Sequence, residues 1–390
     1  MDIAYLTHYF PPAGFAAAIN TYEIVSRLAK RGHRMLVFSQ PTFSRYTAPA
    51  PVSEVEWPEN IEVHQSFLTP LYLSILAPHI INTLRALRNK CDMVITQFHP
   101  IHFASLGGLF LKVFKDMPWL VKVHDMIRDS SLRSGSCEKM ITHSWCKLFL
   151  EYVGKKADRL LVLTNELRSL LEEHGYPQDK VAVIPNGVDT NLFSPQASED
   201  EYNSSKTILY IGSMMPEDGI DYLIRAFSLL DKENQLNLVV IGDGPERLHL
   251  FELVKRLKLG KKVTFYRYIP HDLIPEFIGD AYITVGPLRL SPINSYTIPT
   301  KLLEYFACGK PVVSAPVSKD ILINGFNGLV VKKITPEEIA EKFSMLIEDE
   351  KSAAHMGKNA RQLVVEKYDW EKIVTQIEKE MRDVGSYRFY

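Results

Sequence analysis

Short apolar runs of strand length alternate with longer helical segments in this chain, and the alternation occurs twice. The first series holds apolar runs at Ile3 to Leu6, Met35 to Ser39, Met93 to Thr96, Trp119 to His124 and Leu160 to Leu163, with a helical pattern at Ala17 to Arg31. The second starts with ILYIG after Thr207. It continues through a helix at Asp221 to Leu230, LNLVVIG at 236 to 242, VTFY at 263 to 266, AYITVG at 281 to 286 and PVVSAP at 311 to 316. Helices between consecutive strands carry the chain across the sheet to start each strand in the same direction, so the pattern predicts α/β architecture with mostly parallel sheets. A length of 390 residues is too great for one ordinary core. Two Rossmann-like halves are therefore expected.

The boundary is expected near Val188, where VAVIPNGVDTNLFSP gives way to the polar QASEDEYNSS. This divides the chain into a domain over 1–187, a second over 188–366 and a terminal segment over 367–390. From Trp370 to Val384 the pattern is an amphipathic helix with Ile373, Ile377 and Met381 on one face and no strand after it. It must dock on something already built.

A formal charge of −1 argues against a nucleic-acid partner, and 46% hydrophobic with 23% charged residues is ordinary globular composition. The four cysteines, at 91, 137, 146 and 308, show neither CxxC pairing nor tight Cys/His spacing, so a zinc site and a disulfide framework are not expected. A reducing, cytoplasmic compartment fits them. The opening MDIAYLTHYFPP lacks the basic flank and apolar region of a secretion signal, and no run of about 18 apolar residues suggests a bilayer span.

Glu304 is the polar residue that most needs an explanation. It lies in LLEYFACGKPVVSAPV, where Leu302, Leu303, Phe306 and Ala307 pack inward at helical spacing, Gly309 stops the helix and Pro311 begins a strand. A carboxylate there suits a ribose, whose hydroxyls donate to it while helix amides face a phosphate. A solvated helix glutamate fits the segment equally well.

At IPNGVDTNLFSP, residues 184 to 195, the chain resembles the family 4 retaining glycosyltransferases. HYFPP at 8 to 12, RGHRMLVFS at 31 to 39, VHD at 123 to 125, DGIDYLIRAF at 218 to 227, VVIGDGPE at 239 to 246 and YDW at 368 to 370 extend the match in order. The resemblance implies a GT-B fold: two Rossmann-like domains facing across a cleft, with the last helix returning to the first. It implies transfer of a sugar, with retained anomeric configuration, from a UDP- or GDP-linked donor to an acceptor such as a glycan. No DxD lies between apolar strands, so no metal is expected and the diphosphate must meet Arg, Lys and helix amides. A departing phosphate oxygen can itself take the acceptor proton, leaving the protein to orient and to stabilise charge.

Carried onto this chain, the family pattern puts Glu304 on the ribose and His124 on the donor sugar, with Asp125 capping the next segment. Tyr268 and Ile269 fall at the base, and Gly14, Gly212 and Ser213 at the donor loops. Thr297, Ile298 and Thr300 offer amides to phosphate, while Pro299 offers none. His8, Phe15 and His99 are expected on the acceptor side.

Several positions depart from that pattern, three of them at the expected motif glutamate and phosphate cations. Tyr296 stands where the motif's first glutamate belongs, and Ser213 and Asp218 stand where Arg and Lys are common. A carboxylate about 4 Å from a phosphate repels it by roughly 4 kcal/mol at an effective dielectric near 20. Asp218 is thus expected either to turn to solvent while other cations act, or to prevent the usual diphosphate pose. Lys301 and Arg289 are the expected replacements, in a PxKLxEY arrangement similar to a polysaccharide-building branch of the family. Arg267, where glycine is usual, is either a third phosphate cation or a surface residue.

Phe67 to Leu87 mixes apolar residues with a basic end, and between 109 and 160 ten Lys and Arg face six Asp and Glu. A buried helix explains the first. A lipid-interface segment is the less favoured alternative for it, and the second is a modest bias towards anionic lipid, from which peripheral membrane contact and a polyprenyl-linked acceptor are expected. Two rival readings are a catalytically silent GT-B protein that binds a nucleotide or a partner transferase, favoured by positions 213, 218 and 296, and a nucleotide-sugar epimerase.

Overall fold

The structure is a computed structural model describing residues 1–11, 16–39, 57–65, 77–99, 103–124, 137–196, 206–230, 236–290 and 296–386. The expected sites at Gly14, Phe15 and Asp125 lie outside the described residues. The chain divides into two units, the first ending at Asn186 and resuming at Trp370, the second covering 187–369.

In the first unit seven strands form one sheet: β1 (Asp2–Leu6), β2 (Arg34–Ser39), β3 (Ile61–Gln65), β4 (Met93–Phe98), β5 (Trp119–Val123), β6 (Arg159–Val162) and β7 (Val181–Val183). Their order is β3-β2-β1-β4-β5-β6-β7 and every pairing is parallel. The second unit repeats the plan with β8 (Lys206–Ile211), β9 (Leu236–Ile241), β10 (Val263–Tyr266), β11 (Ile283–Val285), β12 (Val312–Ser314) and β13 (Gly328–Val330), ordered β10-β9-β8-β11-β12-β13, all parallel. Both are doubly wound sheets, as the alternation predicts. Strand order reverses between β1 and β4 in one unit and between β8 and β11 in the other. Ligands of such sheets bind beyond the carboxyl ends of the strands at that reversal.

The central strands of the first sheet are buried on both faces and so read as continuous apolar runs: β4 and β5 are covered along their whole length. The core of the second unit lies in two layers, one around Leu223, Leu238, Val285 and Phe343, the other around Leu209, Leu302, Phe306 and Ile321. The last helix, Trp370–Ser386, is built into the first unit's core through Trp370, Ile373, Ile377 and Met381. Burying each of these apolar side chains stabilises by about 1.5–3 kcal/mol. Its polar side is fixed as well. Arg31 reaches Glu371 at 2.7 Å and Glu378 at 3.0 Å, and Glu378 also meets His33 Nε2 at 2.9 Å.

Three strands escape the sequence pattern: the edge strand β3, whose side chains are mostly only partly covered, and two shorter ones. β7 and β13 are three residues long, and β7 lies within the stretch expected to begin the linker. Such short edge strands need only one neighbour, so composition does not mark them.

Candidate functional site

In the second unit the loops after β8 and β11 and the helix Thr300–Ala307 converge on the point of strand reversal. Gly212 and Gly242 end β8 and β9 at φ +149° and +144°. A Cβ on Gly242 would collide with the Gly212 carbonyl, and one on Gly212 with Lys301 Nζ. Glycine at 212 thus lets an ammonium lie directly against the backbone of the turn.

Lys301 Nζ donates to the Tyr210 hydroxyl at 2.9 Å and lies over that ring at 4.2 Å; the same hydroxyl donates to the Ser213 carbonyl at 2.9 Å. Asp218 approaches Lys301 at 3.8 Å, both side chains being only 15% exposed. The other Asp218 oxygen accepts from the Ser213 hydroxyl at 2.8 Å and from Met215 N–H at 3.1 Å. Asp218 is therefore not turned to solvent. It closes the turn after β8 and supplies Lys301 with a counter-ion. Burial pulls the Lys301 ammonium below its usual range, and the charges of Asp218 and Glu304 oppose that fall.

Arg289 sits in the loop after β11, which is tied to the same turn by Leu288 N–H donating to the Asp218 carbonyl at 3.0 Å. Its guanidinium bonds Asp221 at 3.1 Å and stacks on Tyr222 at 5.1 Å, with the side chain 40% exposed. Both cations singled out from the sequence thus carry a carboxylate. Arg267 is an open surface residue, 3.7 Å from Asp243.

Glu304 is buried, one turn into the helix whose buried side carries Leu302, Leu303 and Phe306. Its Oε1 bonds His271 Nε2 at 2.8 Å. Burial pulls the His271 imidazole down, but the hydrogen bond and charge of Glu304, with Asp272 adding, outweigh it, so the ring titrates above its usual value. The sequence reading passed over His271, although it lies two residues beyond Ile269. Tyr305 OH accepts from Ile211 N–H at 2.8 Å and pins the end of β8. Tyr296 and Ile298 are buried, Thr297 and Thr300 are half-buried, and Pro299 caps the helix without a side-chain bond. Tyr268 is 40% exposed beside the partly buried Ile269.

In the first unit, buried Gln97 in β4 accepts from Thr7 at 2.6 Å and donates to Thr21 at 2.7 Å and Tyr5 OH at 3.1 Å. That network fixes the ends of β1 and β4, from which His8 and His99 follow. The rings meet through Tyr9, 4.7 Å from His8 and 6.0 Å from His99. His79 lies 6.1 Å from His8, and burial lowers its pKa to about 4. His124 is buried at the end of β5, its N–H on the Phe98 carbonyl at 3.1 Å. His79 and Tyr9 complete an aromatic cluster that the sequence did not reveal.

The helices Ala77–Arg88 and Ala104–Lys115 pack together and expose Ile80, Leu84, Phe110, Val113 and Phe114. For Phe67 to Leu87 the sequence leaves a lipid-interface segment and a buried helix open, with the buried helix favoured. The described part of this segment is exposed along Ile80 and Leu84, and 66–76 lie outside the described residues. A cavity of about 180 Å³ lies between the two helices, lined by His79, Thr83, Phe103 and Gly107 among others. Among the described residues no helix is long and apolar enough to cross a membrane.

Comparison with known proteins matches residues 17–192 to the family model described as Glycosyltransferase Family 4 and residues 195–363 to Glycosyl transferases group 1. The chain is 26% identical to N-acetyl-alpha-D-glucosaminyl L-malate synthase of Bacillus anthracis, over 96% of this chain and 95% of that protein. It is 24% identical to alpha-D-kanosaminyltransferase of Streptomyces kanamyceticus, over 69% and 71% respectively. Among solved structures, HepE of Anabaena in complex with UDP-glucose superposes with a TM-score of 0.75 at 19% identity, covering 98% of this chain and all (100%) of that one. Sucrose-phosphate synthase of Thermosynechococcus elongatus gives 0.77 at 20% identity, with 99% and 100% coverage.

Proposed function

The chain belongs to the family 4 glycosyltransferases, and from that premise we propose that it transfers a sugar from a UDP- or GDP-linked donor, with retention and without a metal, to a glycan or polyprenyl-linked acceptor. One observation carries the donor half of this reading: a glycine turn at the point of strand reversal with Lys301 Nζ against Gly212, and the buried Glu304 carboxylate one helical turn further on. That set offers a cation to a diphosphate and acceptors to a ribose. A relative of similar fold was solved with UDP-glucose, which fits a nucleotide-sugar donor.

In the proposed reaction the acceptor oxygen bonds to the anomeric carbon as the bond from that carbon to the diphosphate oxygen breaks. The acceptor proton passes to the departing oxygen. Lys301 and Arg289 stabilise the charge that develops there, and Glu304 holds the ribose. In this reading His124 contacts the donor sugar and His8 and His99 face the acceptor, as the family resemblance implies. The cationic helix ends at Arg85, Arg88 and Lys115, together with exposed Ile80, Leu84, Phe110 and Phe114, support peripheral contact with an anionic membrane.

The Lys301–Asp218 pair supports a second reading, a chain that binds nucleotide without transfer. Incubation with UDP- and GDP-sugars and a polyprenyl phosphate, with and without EDTA, separates the two. Transfer is expected to give a product whose anomeric proton coupling matches the donor and whose yield EDTA leaves unchanged. Nucleotide binding with no product from any donor would favour the silent reading.

A further inference from the structure

Buried glutamates need partners, and Glu304 has an uncommon one. Its side chain is 9% exposed, and His271 is its one hydrogen-bonded side-chain partner among the described residues, at 2.8 Å through Oε1. His271 comes from a different element, the single turn His271–Leu273 that follows β10 and Pro270. Its ring is itself placed by Phe193, with centroids 5.1 Å apart at 53°. A carboxylate bonded at one oxygen by an anchored ring has a fixed plane, and the second oxygen is then offered in one direction.

We propose that His271 is a positioning residue: it engages Glu304 Oε1 so that Oε2 is presented to a hydroxyl of the donor's ribose. The inference rests on the donor reading above and specifies how that site recognises a ribonucleotide. Without the ring, the carboxylate of Glu304 turns about its terminal torsion, and the ribose must supply the ordering that His271 supplies in advance. His271 also brings the turn after β10 into register with the helix Thr300–Ala307. The base-side segment Tyr268 and Ile269 and the ribose-side carboxylate are thereby set as one recognition surface.

The test compares UDP with 2′,3′-dideoxy-UDP, and GDP with its dideoxy form, by titration calorimetry on the full chain carrying His271→Ala or His271→Gln. Wild type is expected to prefer the ribose form by about tenfold to a hundredfold, the range of a hydrogen bond to a charged group. His271→Ala is expected to lose most of that preference while its affinity for the dideoxy form stays near wild type. His271→Gln, whose amide can donate to Oε1, should restore it. An unchanged preference in His271→Ala, or an equal loss for both nucleotides, would overturn the positioning role. Failure of the wild-type chain to bind either nucleotide would instead overturn the donor reading. His271 is 33% exposed, and thermal melting of each variant establishes that the fold is retained before the nucleotide preferences are compared.

Discussion

Replacing Asp218 with Asn should tighten nucleotide binding. The amide keeps an oxygen to accept from Met215 N–H and Ser213 Oγ–H, now at 3.1 and 2.8 Å, so the turn after β8 is retained while its charge is removed. At the 3.8 Å that separates Asp218 from Lys301, two unit charges interact by about 4 kcal/mol at an effective dielectric near 20. A diphosphate approaching Lys301 competes with that attraction and feels the same carboxylate as repulsion. Recovering even a third of the figure is about tenfold in affinity. The expected result is a UDP or GDP Kd at pH 7 lowered by about tenfold or more, with a steeper salt dependence. A second consequence has a definite sign. Asp218 raises the Lys301 pKa against burial, so its loss lowers that pKa further, and the variant's affinity should fall with rising pH earlier than that of wild type. Equal or weaker binding by Asp218→Asn at pH 7 would refute the reasoning, because Lys301 would then not be the cation that the phosphates meet.

Lys122, in β5 of the first sheet and 1% exposed, has one side-chain hydrogen bond among the described residues, to the Ile184 carbonyl at 3.3 Å, and burial pulls its pKa from 10.5 to about 7. That fall corresponds to a cost of about 5 kcal/mol, present in full below pH 7 and removed as pH rises towards 10.5, because the unfolded chain there binds the proton that the folded chain has lost. Lys122→Met is therefore expected to melt higher than wild type at pH 6, with the gap closing by pH 10. A lower melting temperature at pH 6 would contradict this. Tyr305→Phe removes the acceptor of Ile211 N–H, an unpaired donor costing about 1–3 kcal/mol. Urea denaturation should show a loss in that range, and an unchanged midpoint would argue that the end of β8 does not depend on Tyr305.

The sheets were legible because every strand of four or more residues except β3 reads as an apolar run, and because helical spacing separates them. The ends of those strands were legible too, which is why His8, His99, Gly212 and Arg289 could be placed at strand ends from the sequence, whereas the reversal of strand order was not. Partnerships were not legible. Lys301 was expected to replace a lysine lost at 218, and nothing in the sequence says that Asp218 would be its counter-ion, since the pairing depends on the turn after β8 folding back on a helix that begins more than eighty residues later. His271 was hidden for the same reason: its significance comes from Glu304, which only strand order brings near. Exposure was equally hidden, as Ile80 and Leu84 show, because an apolar helix face has the same spacing whether it meets a sheet or solvent.

The central claim is a metal-independent donor site built on Glu304 and Lys301. Titration calorimetry of the purified chain with UDP and GDP, with and without EDTA and beside Glu304→Ala, tests it most directly. The account predicts binding of one nucleotide that EDTA leaves unchanged and that Glu304→Ala weakens by about tenfold or more. Binding that EDTA abolishes, or that Glu304→Ala leaves at wild-type strength, would contradict it.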